Sequence, residues 1–112
     1  MTEHELGTVI ARREFDCGAI KITLEIGAPY PVDDGGTWFC PLRITGLDSS
    51  RVRRVGGVDS MQALVLALAS AAADLYTCDA AREKILKWLD QDDLGLPKPK
   101  FLDDLLAEND PS

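Results

Sequence analysis

The sequence predicts an α+β fold: an antiparallel sheet of four to five strands packed on one long central helix, followed by a short C-terminal helix. Two changes of pattern lead to this expectation. Apolar residues alternate with polar ones through much of the first 58 residues, as in half-buried strands. From Met61 onwards they recur every three to four residues, as on a helix. With 112 residues, the chain is expected to form a single domain, 1–112.

Four segments of the first half have strand character, and their short connections predict an antiparallel meander. In 20–26, for example, isoleucine and leucine alternate with lysine, threonine and glutamate. Pro41 has no N–H to donate, which moves the third strand towards an edge or a bulge. Residues 27–36 are rich in glycine, proline and aspartate and predict a connecting loop. The four predicted strands are 8–15, 20–26, 38–45 and 51–58.

The central helix is predicted to begin at the Asp59-Ser60-Met61 junction. Asp59 is expected to cap it, and Gln62, three residues on, completes a capping box. Bulky aliphatic residues surround the apolar stripe, so the helix is expected to be buried over most of its girth. A break is expected near Asp79, and residues 80–90 then either continue as helix or form a fifth strand. The stripe residues are Leu64, Leu68, Ala71, Ala72 and Leu75, widened by Val65, Leu66 and Ala69.

Residues 98–112 form an acidic C-terminal segment whose apolar residues are spaced as on a short amphipathic helix. Two interpretations remain open at this stage. The segment either folds back onto the protein's own core or docks into a groove of another protein. Its apolar residues are Phe101, Leu102, Leu105 and Leu106, with Asp103, Asp104 and Glu108 between and after them.

The net charge of −7 and the pI of about 4.5 argue against nucleic acid or an anionic membrane as a partner, because both repel such a surface. A basic protein is the natural complement. The N-terminus lacks the pattern of a signal peptide, and the apolar run 63–73 is too short to span a bilayer, so a cytoplasmic location is expected. The acids proposed to contact the partner lie in turns and in the tail: Asp33, Asp34, Asp90, Asp92, Asp93, Asp103 and Asp104.

Residues that could carry catalysis or bind a metal are sparse. The only histidine, His4, lies in a polar N-terminal segment, and Cys17, Cys40 and Cys78 are too far apart for the usual zinc spacings. The paired glycines lack the frames of phosphate-binding loops. We therefore expect no enzymatic activity, no metal and no cofactor.

The stretch from Gly56 to Met61, Gly-Gly-Val-Asp-Ser-Met, raises one specific alternative, because carrier domains present their modified serine in a similar way. Carrier domains are helical bundles, however, whereas Ser60 follows about forty residues with strand character. The helix after a carrier serine usually contains acids, and residues 61–73 contain none. Ser60 is therefore expected to be a first-turn residue, with modification at this serine as a remote alternative.

Several motifs resemble a family of small bacterial proteins catalogued only as a domain of unknown function. The resemblance covers roughly residues 38–97 and implies an α+β fold without carrier chemistry. Where the family often has Gly-Tyr-Gly-Phe-Pro, this chain has Asp-Leu-Gly-Leu-Pro at 93–97. The matching elements are Trp38-x-Cys40, the run from Gly56 to Leu64, Asp74-Leu75-Tyr76, Trp88 and Gly95-Leu96-Pro97.

The function expected from the sequence is that of a small, acidic, non-enzymatic protein-binding module. Its best-matching type is an immunity or antitoxin protein that inhibits a basic partner such as a toxin domain. A self-associating accessory domain, such as a homodimer, or a ligand-binding domain is the alternative.

Overall fold

The computed structural model describes residues 5–32, 35–47 and 50–98. Within these residues the chain is α+β, with one antiparallel sheet, a main helix and a short helix, which confirms the predicted class. The sheet has six strands rather than four to five. The predicted C-terminal helix lies outside the described residues. The strands are β1 (Val9–Cys17), β2 (Ile20–Gly27), β3 (Tyr30–Pro31), β4 (Trp38–Thr45), β5 (Arg53–Gly57) and β6 (Leu86–Lys87), and the helices are α1 (Ser60–Thr77) and α2 (Asp79–Arg82).

The four long strands pair in the order in which they occur, β1 with β2, β2 with β4 and β4 with β5. The two additional strands are short. β6 pairs with the end of β1, and β3 pairs with the beginning of β4. The prediction that 27–36 is only a loop is therefore wrong at Tyr30 and Pro31. A two-residue strand is too short to show a period of two, so the turn residues around it dominated the pattern.

Pro41 predicts an edge or a bulge for its strand, and the edge is wrong, because β4 lies between β2 and β5. On one side of β4, β2 pairs as far as Leu42 and β3 pairs from Phe39. Pro41 thus lies in the gap between two pairing partners. On that side of β4, the missing N–H of Pro41 interrupts no pairing.

The break predicted near Asp79 is confirmed, since α1 ends at Thr77 and α2 begins at Asp79. Of the two alternatives for residues 80–90, a continued helix is wrong and a further strand is confirmed in part. The chain instead makes one helical turn and then the two-residue strand β6. Ile85 and Leu89, on either side of this strand, are exposed.

Helix α1 packs on β4 and β5 through a row of small residues. Ala63, Ala67 and Ala71, spaced four apart, are fully buried with Leu75. Gly57 allows this approach, since a Cβ there would lie only 2.9 Å from the Cα of Ala63. The prediction that α1 is buried over most of its girth is wrong. Its bulky residues lie beside or opposite the alanine row, and Met61, Val65 and Leu66 are exposed.

Asp59 is the N-cap of α1, with extended backbone and its Oδ1 accepting a hydrogen bond from the Gln62 N–H at 2.7 Å. Gln62 Oε1 in turn accepts a hydrogen bond from the Val58 N–H at 2.8 Å. In the usual capping box, the Gln62 side chain would accept a hydrogen bond from the N–H of the N-cap residue, Asp59. Here it accepts one from Val58, one residue earlier in the chain. Ser60 is the first residue of the helix.

The core lies between α1 and one face of the sheet. The segment after β6 contributes Leu94 to it. Burial raises the pKa of the Cys40 thiol, and the three cysteines are free. None of the described helices has the length and hydropathy needed to cross a membrane. The core side chains are Phe15, Ile22, Leu24, Ile26, Cys40, Leu42, Ile44, Ala63, Ala67, Ala71, Ala72, Leu75, Tyr76, Leu86 and Leu94.

Candidate functional site

The most unusual backbone among the described residues is the tight turn after β6, formed by Trp88, Leu89, Asp90 and Gln91, which we call the Leu89 turn. Trp88 and Gln91 exchange both backbone hydrogen bonds at 3.0 Å. Between them Leu89 has φ 52° and Asp90 has φ 64°, so both central residues lie in the left-handed region. Two-residue turns of this kind usually contain Asn-Gly or Asp-Gly. A leucine in this conformation costs about 1–2 kcal/mol.

Leu89 gains no burial in return for this strain, because 72% of the residue is exposed. An exposed aliphatic side chain held in a disfavoured conformation must be supported by the structure around it. Such strain concentrates at functional sites, where it holds a side chain in a fixed position. The tip formed by Leu89 and Asp90 is therefore the leading candidate for a binding element.

Trp88 anchors the first position of the turn. The guanidinium carbon of Arg13 lies 3.8 Å from the centre of the Trp88 ring. Arg13 also donates hydrogen bonds from Nη1 to the carbonyl oxygens of Leu94 and Gly95, both at 3.1 Å. A single β1 side chain thus holds both the start of the turn and the segment that follows it. Stacking and charge-assisted hydrogen bonds of this kind leave the turn little freedom.

The predicted contact residue Asp92 holds the other side of the turn. Its Oδ1 accepts a hydrogen bond from Lys87 Nζ at 2.6 Å, and Lys84 Nζ lies 3.9 Å from Oδ2. The hydrogen bond from Lys87 holds the pKa of Asp92 below its usual value. Asp92 therefore remains charged, but two lysines already neutralise it.

Asp93 has a structural role as well. Its Oδ1 accepts hydrogen bonds from the Gly95 N–H at 2.8 Å and from the Tyr76 hydroxyl at 2.9 Å, which together lower the pKa of Asp93. The Tyr76 oxygen also accepts a hydrogen bond from the buried Leu94 N–H at 2.8 Å. Burial raises the pKa of Tyr76, so it stays a neutral donor. This clamp fixes residues 93–95 to the end of α1.

Of the predicted contact acids, Asp90 alone sits at the tip of the Leu89 turn, and Asp92 and Asp93 support the turn from behind. Within residues 5–32, 35–47 and 50–98, the Asp90 carboxylate makes no hydrogen bond or ion pair. The other four predicted contact acids, Asp33, Asp34, Asp103 and Asp104, lie outside the described residues.

The charge of the described body differs from that of the whole chain. Residues 5–32, 35–47 and 50–98 contain eleven acidic and eleven basic residues, so their formal charge is zero. The remaining residues, 1–4, 33–34, 48–49 and 99–112, contain eight acids and one lysine, which account for the −7. Residues 59–112 together carry a formal charge of −6, of which one half lies in residues 59–98 and the other half in the last fourteen residues.

The two arginines of β5, Arg53 and Arg54, point to opposite faces of the sheet. Arg53 reaches α1, where it donates to Ser70 Oγ at 2.7 Å and pairs with Asp74. The Arg54 guanidinium carbon lies 4.0 Å from the centre of the Phe39 ring on the outer face. Each arginine is thus engaged with the protein's own side chains.

The sequence pattern of residues 80–90 predicts a helix or a strand and gives no sign of a turn at Leu89. The usual signal for a two-residue turn is an Asn-Gly or Asp-Gly pair, and Leu-Asp does not provide it. The two aspartates that follow at 92 and 93 were the only local indication that the chain turns here.

Among the described residues, no group of three or more histidine, cysteine, aspartate or glutamate side chains could hold a metal ion.

A family model described as "Domain of unknown function (DUF6968)" matches residues 11–98 of this chain. That match includes the Leu89 turn and the Tyr76 clamp. Neither the curated proteins nor the solved structures contain a match to this chain.

Proposed function

This chain belongs to the DUF6968 family, and we propose that it is a small, non-enzymatic protein-binding module that inserts the Leu89 turn into a partner. In the form we propose, it acts as an inhibitor of the immunity or antitoxin kind. The observation that carries this proposal is the strained leucine, 72% exposed at the tip of a turn that the surrounding side chains hold rigid.

A rigid protruding turn is a suitable binding element because it loses little conformational freedom when it meets a partner. Burying one leucine side chain contributes roughly 1.5–3 kcal/mol, which corresponds to about a 10- to 100-fold change in affinity. Asp90 beside it adds a charge that the described residues leave uncompensated. An apolar side chain flanked by one free carboxylate matches a partner with an apolar recess edged by lysine or arginine.

The remaining acids support this choice of a basic partner in a different way. Asp33, Asp34, Asp103 and Asp104 belong to the stretches that carry the net negative charge of the chain. Such charge accelerates association with a basic protein over distances of about a Debye length, without requiring specific contacts. We therefore assign specificity to the Leu89 turn and long-range attraction to the acidic stretches.

The test is an affinity pull-down with the full chain from an extract of the native host. Leu89→Gly removes the side chain while giving the turn a residue that adopts positive φ without strain, so the protein should fold as well as the wild type. Asp90→Asn removes the charge and tolerates the same backbone conformation. Val58→Ala is the matched control, because Val58 is exposed to 73% but lies at the β5–α1 junction.

We expect one basic protein to be retained by the wild type and Val58→Ala, lost with Leu89→Gly, and weakened with Asp90→Asn. For an immunity-type protein, the captured partner should have a toxic activity that the wild type inhibits. Equal recovery with all four proteins would contradict the role of the turn. No partner, together with a stable dimer in light scattering, would instead favour a self-associating domain.

A further inference from the structure

Strand β5 lies at the end of the sheet opposite β6 and the Leu89 turn. One side of β5 pairs with β4, and within the described part of the chain no strand pairs with its other side. Pro41 lies opposite Arg54 and has no N–H to donate. The hydrogen bonds of this ladder are therefore exchanged by the alternate pairs, including Cys40 and Val55. The N–H and C=O groups of Arg54 and Gly56 thus point away from β4, along the open edge.

This edge lacks the features that usually keep an open strand from pairing, which are a proline, a bulge or free charges. β5 contains no proline, and its residues pair with β4 in continuous register. Both of its arginines are engaged within the chain, Arg53 with Asp74 on α1 and Arg54 over the Phe39 ring. The backbone of β5 is therefore able to accept a further strand.

We propose that β5 pairs with β5 of a second copy of this chain, antiparallel and around a two-fold axis at Val55. In this register Arg54 lies opposite Gly56 of the second copy, and the outward groups of the two residues exchange both backbone hydrogen bonds. Arg53 lies opposite Gly57, so no arginine of β5 faces another arginine. An axis at Arg54 would instead place two like charges directly opposite each other, which is unfavourable.

Helix α1 makes the second contact of the dimer, since it packs over β4 and β5. Because the axis passes through a residue, both copies of α1 lie on the same face of the joined sheet. Neighbouring strands are about 4.8 Å apart, so helices placed over β4 and β5 of each copy have axes about 10 Å apart. Packed helices have axes about 8–10 Å apart, so the two copies of α1 lie within reach of each other.

The flank of α1 that faces the open edge suits this contact. Arg53 identifies this flank, because it donates a hydrogen bond to Ser70 Oγ at 2.7 Å. Leu66, four residues earlier on the same flank, is 41% exposed. Ala69 and Ala73 are half-buried beside it and are small enough for a second helix to approach. The dimer would therefore cover an exposed leucine of each copy.

The dimer does not depend on the proposed function, because the Leu89 turn lies at the other end of the sheet. The two turns of a dimer are at its far ends, where each is free to meet a partner. Capture of a partner by a monomer would refute only the dimer, and dimerisation without a partner would refute only the role of the turn.

Light scattering and sedimentation equilibrium of the full chain test the proposal. We expect the wild type at twice the 12.2 kDa of one chain. Leu66→Glu brings two like charges together near the axis and should weaken dimerisation by at least about 10-fold. Val65→Glu is the matched control, because Val65 is 49% exposed on the other flank, three residues before Leu68, which lines a cleft with residues of β2. The control should dimerise as the wild type does. A monomeric wild type, or equal dimerisation of the two variants, would overturn the proposal.

Cysteine cross-linking tests the register. Val55 faces its own copy across the axis with Cα atoms about 4.5 Å apart, so oxidised glutathione should join the two chains of Val55→Cys by a disulfide. In Arg54→Cys the two thiols belong to residues whose Cα atoms are about 8 Å apart, too far for a disulfide. The wild type, in which Cys17, Cys40 and Cys78 are free, gives the background in a non-reducing gel. Equal cross-linking of the two variants would contradict the register.

Hydrogen exchange of the Arg54 and Gly56 amides identifies any other occupant of the edge. In the dimer both amides should be protected, and dilution to the monomer should remove the protection. Protection that persists in a monomer would mean that the chain covers its own edge. Protection only in the presence of a different co-purified protein would mean that the edge receives a foreign strand. Either of these two results would overturn the proposal.

Discussion

Replacing Tyr76 with phenylalanine tests whether the clamp at the end of α1 holds the segment that supports the Leu89 turn. The wild-type hydroxyl donates to Asp93 and accepts from the Leu94 N–H. Tyr76→Phe keeps the ring in the core but leaves the buried Leu94 N–H without this acceptor. The segment of residues 93–95 should therefore loosen while the sheet and α1 stay formed.

The size of the effect follows from the burial of the orphaned donor. A buried N–H without a partner costs about 1–3 kcal/mol, and the exposed side of Asp93 can exchange its lost hydrogen bond for water. We therefore expect a loss of about 2 kcal/mol in the free energy of unfolding. With a urea m value of about 1.5 kcal/mol/M, the midpoint should fall by roughly 1.3 M without a change in m.

Urea unfolding followed by circular dichroism measures this directly, and Tyr30→Phe is the matched control. Among the described residues the Tyr30 hydroxyl accepts one hydrogen bond, at 3.2 Å from the exposed Arg54, so its loss should change stability by less than about 0.5 kcal/mol. If Tyr76→Phe is as stable as Tyr30→Phe, the clamp contributes nothing and the account of a supported turn is wrong.

Three further predictions concern the junction before α1 and the acid range. Gly57→Ala should destabilise the protein by about 1–3 kcal/mol in thermal unfolding, because the new methyl meets the backbone of Ala63, whereas Gly36→Ala, with none of the described atoms within 4 Å of its Cβ, should have little effect. Intact mass spectrometry of the protein from its native host should find no group added to Ser60, and a phosphopantetheine-sized increase would revive the carrier alternative. Because hydrogen bonds lower the pKa of Asp93 below its ordinary 3.8, the stabilisation is complete above that value and is lost as the pH falls through the lowered pKa. Asp93→Asn should therefore show a shallower loss of stability in acid than the wild type, and equal slopes would contradict this role.

The fold class could be predicted because the two hydrophobic periods of the chain are long and clear. The packed face of α1 could be predicted only in its second half, where Ala71, Ala72 and Leu75 are fully buried as expected. In the first half of the helix, hydrophobicity favours Leu64 and Leu68 as the residues that face the core, since leucine is more apolar than alanine. The close approach of the helix at Gly57 instead selected Ala63 and Ala67, because only small side chains fit there. The sequence does not state how near two elements will come.

The candidate site could be predicted only in part. Charge and turn composition pointed to Asp90, Asp92 and Asp93, and all three lie in or directly after the turn. Their different roles depend on partners distant in sequence, such as Tyr76 and Arg13, which a local pattern does not contain. The sequence does not indicate Leu89, because its proposed role rests on a positive-φ backbone conformation that leucine rarely adopts.

The affinity of the captured partner for wild-type and Leu89→Gly protein, measured at fixed ionic strength, tests the central claim most directly. Removing the leucine side chain should weaken binding by about 10- to 100-fold without reducing the stability of the protein. Val58→Ala, which removes aliphatic surface of the same exposure elsewhere, should bind within 2-fold of the wild type. Equal affinities for the three proteins would contradict the assignment of the Leu89 turn as the binding element.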